Sequence, residues 1–201
     1  MNESERGMNT SYNKTITHDE INNLPLKSFE GKVTVISDPE KLESAFKEIR
    51  KHHIVGFDTE TKPVFVKGQS HKVALLQIAM DEKVFLIRLN KTGMTPEIID
   101  FLENTHILKA GVALRDDLIA LKKLQMFEPG GIVELAEVSK KAGLQVESVK
   151  KLAAVLLGFR ISKSAQTSNW EAEMLNEKQI SYAATDAWVC LEIYKKLAKS
   201  V

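Results

Sequence analysis

Apolar residues recur in short runs separated by charged and turn-forming stretches, and their period shifts along the chain from strand-like alternation to helical spacing. Residues 1–16 are polar and aperiodic, which predicts a disordered tail. Thr17-His18-Asp19-Glu20 then reads as a helix start, a Thr cap followed by first-turn acids, with Pro25 ending the helix. Val33 to Ile36 alternates like a strand, and Asp38-Pro39-Glu40 opens a helix through about Lys51. The pattern predicts a short helical lead-in over residues 17–32 and a main domain over residues 33–201.

The central signals are stronger. Ile54 to Asp58 is a short apolar, β-prone run that ends in an acid. Val73 to Ala79 and Lys83 to Ile87 predict two strands joined by a tight Met80-Asp81-Glu82 turn, an antiparallel hairpin. Pro96 starts a helix ending near Asn104, and Ile107 to Val112 is the next strand. Leu114, Leu118, Leu121 and Leu124 fall at helical spacing within residues 114–126. Gly130-Gly131 turns into a brief Ile132-Val133 strand, followed by helical segments near residues 134–142 and 147–157. A polar loop from Ser162 to Asn169 leads to a long helix from about Glu177 to Ala198. Hairpin strands first, then alternating strands and helices, predict an α/β fold with a mixed sheet flanked by helices.

Composition narrows the function classes. An apolar share of 43% supports a sizeable core. With 28 Lys and Arg against 27 Asp and Glu, net +1, the chain cannot hold a polyanion by bulk attraction, so any such site is local. A lone cysteine, Cys190, excludes an internal disulfide and any multi-cysteine zinc site. No apolar run approaches the roughly 20 residues of a membrane helix, and the polar N-terminus is unlike a signal peptide. A cytoplasmic, stand-alone bacterial protein is the expectation. The phosphate-cradling GxxxxGK[ST] pattern of nucleotide triphosphatases is missing.

Three places put acids in apolar surroundings, where an unpartnered charge is costly. In Phe57-Asp58-Thr59-Glu60, residues two apart on an extended chain share a face, so Asp58 and Glu60 project side by side and repel unless a cation lies between them. Arg115-Asp116-Asp117-Leu118 opens a helix, where acids also serve the macrodipole. Tyr182-Ala183-Ala184-Thr185-Asp186 places a phenol and a carboxylate on one helical face. Taken singly, each has a plain structural alternative: a solvated acidic turn, a charged helix start, a paired helix residue.

Taken in order, these motifs resemble the DEDD superfamily of 3′–5′ exonucleases in its tyrosine-bearing branch. The likeness is nearest to the ribonuclease D group and the exonuclease domain of the Werner syndrome helicase. It covers about residues 33 to 200 and includes VGFDTETKP, VALLQIA, KAGVALRDDLIALKK, SKSAQTSNW and LNEKQISYAATDAW. Within the second motif the family acid aligns with Asp117 rather than Asp116. Two positions depart: Glu134 replaces a common aspartate at a position that is not a metal ligand, and Glu171-Ala172-Glu173 stands where ribonuclease D proteins have an arginine. The C-terminal helical nucleic-acid-binding domains of ribonuclease D proteins are not part of this sequence.

The resemblance implies a ribonuclease H-like fold, a mixed sheet with helices on both faces. It also implies hydrolysis of 3′-terminal phosphodiester bonds of DNA or RNA, with release of nucleoside 5′-monophosphates. Two divalent ions, Mg2+ or Mn2+, roughly 3.5–4 Å apart would serve the chemistry. Asp58 would bridge them, Glu60 and Asp186 would complete the water-activating site, and Asp117 would help hold the second ion beside the leaving 3′ oxygen. Tyr182 would orient the attacking water. Lys163, in the polar loop, matches a family lysine and is either a phosphate contact or an exposed loop residue. Trp170 is expected in the core, Cys190 buried, and the Lys122-Lys123, Lys140-Lys141, Lys150-Lys151 and Lys195-Lys196 doublets on solvated helix faces. His52, His53, His71 and His106 show no metal-ligand spacing. The partner the resemblance implies is nucleic acid, single-stranded or with a recessed 3′ end of DNA or RNA, with no membrane; protein partners are left open. The alternatives are a catalytically silent binding or scaffold protein on the same fold and a hydrolase of very short oligonucleotides.

Overall fold

The computed structural model describes residues 14–66 and 68–199, so the first thirteen residues of the expected tail lie outside the described residues. The lead-in begins with helix α1 (His18–Asn22), closed at its N-terminus by the reciprocal Thr17–Glu20 capping box. Strand β1 (Lys32–Ile36) follows, then a 3-10 turn (Pro39–Lys41) capped by Asp38, and helix α2 (Leu42–Ile49). Strands β2 (Ile54–Thr61), β3 (Val73–Ala79) and β4 (Lys83–Ile87) come next. Beyond them lie a short helix α3 (Leu89–Thr92), helix α4 (Pro96–Glu103), strand β5 (Leu108–Gly111) and helix α5 (Leu114–Lys122). Strand β6 (Ile132–Glu134), helix α6 (Leu135–Lys141), helix α7 (Val149–Leu152) and the 22-residue helix α8 (Glu177–Ala198) complete the fold.

The six strands form one mixed sheet in the order β1-β4-β3-β2-β5-β6. β2, β3 and β4 are antiparallel neighbours, as the hairpin pattern predicts, while β1 joins β4, and β5 and β6 extend from β2, in parallel. β3 is buried along its whole length, Gln77 included, as its otherwise apolar run requires of a strand covered on both faces. Buried side chains pack against helices on both faces of the sheet. Val55, Phe57, Leu76, Ile78, Phe85 and Ile87 meet α2, α4 and α5 on one face, whereas Ala74, Leu75, Val84 and Leu86 meet α8 on the other. The helices therefore lie on both faces of the sheet, as expected.

Differences from the sequence reading are local. β2 runs three residues past Asp58, because Thr59, Glu60 and Thr61 continue to pair with β3. The pairing register shifts between Glu60 and Thr61, a bulge of the kind that re-aims side chains at strand ends. The helix expected over residues 114–126 stops at Lys122, where the Lys123, Leu124 and Gln125 amides fold back on Ile119 and Leu121. Ala153–Leu157 winds as a π-helix continuing α7, and Gly158 in the left-handed region ends it. The lead-in is stitched to the domain: Lys27 N donates to Arg160 O and Arg160 N to Pro25 O, both at 2.9 Å, and Phe29 N donates to Thr185 Oγ1 at 3.0 Å.

Candidate active site

The site forms where β2 passes beneath α8. Even-numbered β2 residues face the helix, and Gly56 lets it come close: a Cβ there would lie 1.9 Å from Ala187 O. Two residues on from Gly56 is Asp58, and next to Ala187 is Asp186, so this backbone contact brings the two acids together. Glu60, again two residues along β2, joins them. Oxygen atoms of Asp58, Glu60 and Asp186 all lie within 4.8 Å of one another. Thr59, pointing the opposite way, donates its hydroxyl to Asp117 Oδ1 at the start of α5. Asp117 is thus held at the border of the trio rather than within it.

Such crowding has an electrostatic signature. Burial first, then the charges of Asp186 and Asp117, drive the Asp58 pKa well above its ordinary value, against a lowering by the Thr59 N–H. Burial and the same neighbours, Asp58 foremost, push Glu60 up to about 10. Burial raises Asp186 to about 7, while the Tyr182 hydroxyl and the Lys163 charge pull it down. Asp117 rises to about 6, mainly by burial, with Thr59 opposing. Asp186 Oδ1 is also buried without a hydrogen-bond partner. An orphaned carboxylate oxygen beside two crowded carboxylates is a poor arrangement for the bare chain and a good one for a hard divalent cation, which takes oxygen ligands. The residues present therefore fit such an ion.

Tyr182 lies four residues before Asp186 on α8, and its phenol is pushed above its ordinary pKa by burial and then by the Asp186 and Glu60 charges. It stays protonated at any ordinary pH. Trp170, fully buried as expected, stands behind it with ring centroids 6.0 Å apart. A cavity of about 500 Å³ opens over the cluster, and Asp58, Glu60, Tyr182, Asp186 and Lys163 all line it. Lys163 is therefore at the site and not merely on an exposed loop. Lys150 lines the same cavity, which corrects its placement on a solvated helix face; Lys151 is exposed, as expected.

Two supporting residues escaped the sequence reading. Glu134 is not idle: its carboxylate accepts from Ala113 N (3.1 Å), Leu114 N (2.9 Å) and Ala136 N (3.2 Å), tying together the starts of α5 and α6. Ala113 has φ +60°, a left-handed conformation that costs an alanine energy and that these bonds hold in place. In this way Glu134 fixes the helix that carries Asp117. Arg88 is buried and donates to Ala172 O and, at 2.6 Å, to Glu173 O, anchoring the turn after Trp170. Glu171 in that turn lies 3.6 Å from both Lys62 and His71.

The family described as 3′–5′ exonuclease matches residues 33–201. The chain belongs to that family. It is 31% identical over 185 residues to the mouse bifunctional 3′-5′ exonuclease/ATP-dependent helicase WRN, covering 87% of this chain and 13% of that protein. It is 29% identical over 177 residues to the Drosophila melanogaster exonuclease 3′-5′ domain-containing protein 2, covering 84% and 30%. The chain thus spans under a third of the length of these two relatives. Among solved structures, the Aedes aegypti Nibbler EXO domain superposes with a TM-score of 0.76 at 23% identity, covering 87% of this chain and 92% of that one. Escherichia coli RNase D matches with the same TM-score and identity over 84% of this chain and 45% of that one. The folds agree with the ribonuclease H-like expectation. Among the described residues no helix is long and apolar enough to cross a membrane.

Proposed function

We propose that the chain removes nucleotides from the 3′ ends of DNA or RNA by metal-dependent phosphodiester hydrolysis, releasing nucleoside 5′-monophosphates. The observation that carries this reading is the Asp58–Glu60–Asp186 cluster under Tyr182, in a chain of the 3′–5′ exonuclease family. Asp58 would be the central ligand for a pair of divalent ions, Mg2+ or Mn2+: it belongs to the cluster with Glu60 and Asp186, and the Asp186 and Asp117 charges both act on it. Glu60 and Asp186 would hold one ion with it, and Asp117 would help to hold the other. Bound ions supply charge neutralisation at the phosphate and the leaving oxygen, and make water at the site more acidic. Tyr182 remains a phenol and orients the attacking water by a hydrogen bond, since its raised pKa bars it from acting as a base. Lys163 places a fixed positive charge on the substrate phosphate. A nucleic-acid substrate is in keeping with the structural likeness to Trypanosoma brucei RNase D, solved in complex with RNA U12.

The test uses oligomers of graded length, DNA and RNA, labelled at either end and incubated with Mg2+, Mn2+ or a chelator. Stepwise shortening from the 3′ end, dependent on metal, supports the reading and identifies the sugar. Cleavage confined to two- or three-nucleotide substrates favours a hydrolase of short oligonucleotides. Binding without cleavage in every metal favours the silent binding protein.

A further inference from the structure

The cavity over the carboxylates has two unlike ends. At one end Tyr182 separates it from a second groove of about 360 Å³, walled by the lead-in residues Leu26, Lys27 and Ser28 and sharing Ser162 with it. The other end is formed by Val112 and Ala113, just before α5, and by Glu147 to Lys150 at the start of α7; none of these lines the second groove. Two lysines, Lys150 and Lys163, line the first cavity. Lys62, Lys83, Lys91, Lys122 and Lys195 each have an acid within 4 Å. Lys150 and Lys163, among the described residues, are in no such pair although they face a cavity that holds three carboxylates. Lys150 is half-buried at this rim, while Lys151 beside it is exposed.

In-line displacement turns this asymmetry into a direction. A water held by Tyr182 attacks phosphorus from the side opposite the leaving 3′ oxygen. The strand that owns that oxygen, the part retained after cleavage, must therefore leave the cavity at the end remote from Tyr182. That end is the one lined by Ala113 and Lys150. We propose that Lys150, assisted by the Ser148 hydroxyl, is a phosphate subsite for the retained strand on the 5′ side of the scissile bond, a proposal that rests on the exonuclease reading for its direction. Lys163 then serves the scissile phosphate, and Lys150 the phosphate upstream of it. Ser148 Oγ accepts from Lys151 N at 3.4 Å and keeps its own proton for a phosphate oxygen. Glu147 shares the rim, so this end attracts a strand through one placed cation and not through a broad basic patch. That agrees with a net charge of only +1.

The test is binding, which stays measurable whether or not the chain cleaves. The probe is a 5′-fluorescein thymidylate 10-mer blocked by 3′-terminal phosphorothioate linkages, followed by anisotropy in Mg2+ with the whole chain. Lys150→Glu should weaken binding about tenfold, Lys150→Gln severalfold, and Lys150→Arg less than twofold. Lys151→Glu, one residue away and exposed, should stay within twofold of the wild type. For Lys150→Gln the dependence of log affinity on log salt should flatten by about 0.7, one phosphate contact on a single strand. A competing dinucleotide, too short to reach the subsite, should bind wild type and Lys150→Gln alike. Equal losses in the Lys150→Glu and Lys151→Glu proteins, an unchanged salt slope, or a wild type that holds the 10-mer no better than the dinucleotide would each overturn the proposal. Failure of the exonuclease reading is seen separately, as an unblocked 10-mer left intact in Mg2+.

Discussion

Gly56→Ala tests the contact that assembles the site. The added methyl would meet Ala187 O at 1.9 Å, the Ala187 carbonyl carbon at 2.9 Å and Leu191 N at 3.0 Å, all backbone atoms of α8. Carbon and carbonyl oxygen settle near 3.3 Å even in favourable contacts, so the helix has to retreat from β2 by about 1.4 Å. Backbone on both sides leaves no rotamer through which to relieve the clash. Overpacking of this kind costs about 1–3 kcal/mol, equivalent to a Tm lower by roughly 5 °C in a chain of this length. The larger effect falls on activity. Asp58 lies two residues beyond Gly56 on the same face of β2 and Asp186 is next to Ala187, so the retreat separates two acids whose oxygens now lie within 4.8 Å. A displacement near 1 Å costs about 100-fold in rate. Release of 3′ nucleotides at 25 °C, where the variant is still folded by circular dichroism, measures this directly. A variant with wild-type rate and wild-type Tm would refute the packing of α8 on β2 as the device that builds the site.

Three further outcomes are expected. In chelator the protein should lose stability as pH rises: the raised pKa values mean that the folded acids hold protons the unfolded chain has released. Stability present at acid pH therefore fades from about 4 upward, through about 6 for Asp117 and about 7 for Asp186, and on toward about 10 for Glu60. Mn2+ should restore the Tm at pH 8 far more than at pH 5, and equal melting at both pH values in chelator would contradict this. Glu134→Gln, which keeps size but loses charge on three backbone N–H groups, should lower Tm by a few degrees and slow nucleotide release at least tenfold without changing the reaction products; wild-type kinetics would show that Asp117 needs no such support. Lys109→Ala should cost about 3 kcal/mol in urea unfolding, because Lys109 is fully buried and its ammonium donates to Asn104 O and Gly130 O. Burial lowers the Lys109 pKa to about 8, so wild type should regain stability between about pH 8 and 10.5 in a way the variant does not.

The elements were legible where one physical signal dominated. The apolar run of β3, broken only by Gln77, and the long α8 were readable from pattern alone, and the Pro96 start of α4 from proline geometry. Motif order placed Asp58, Glu60, Tyr182 and Asp186, and strand alternation correctly put the first two on one face. What stayed hidden depends on contacts between segments far apart in the chain. The bond from Thr59 to Asp117 spans 58 positions, and the Glu134 bonds to Ala113 and Leu114 span about 20. Nothing in the local sequence marks Gly56 as a helix contact or separates Lys150 from Lys151. Glutamate is not among the favoured helix caps, yet Glu134 accepts from Ala136 N of α6 as well as from the N–H groups that open α5.

Metal binding by the carboxylate cluster, on which the proposed 3′-end cleavage depends, is the point to test. It is met most directly by titrating Mn2+ into chelator-treated wild-type and Asp58→Ala proteins by electron paramagnetic resonance, then adding a 5′-labelled oligomer to the same samples. The wild type should bind Mn2+ and shorten the oligomer from its 3′ end, and Asp58→Ala should lose both together. Mn2+ held equally well by Asp58→Ala, or shortening that persists in that variant or in chelator, would contradict it.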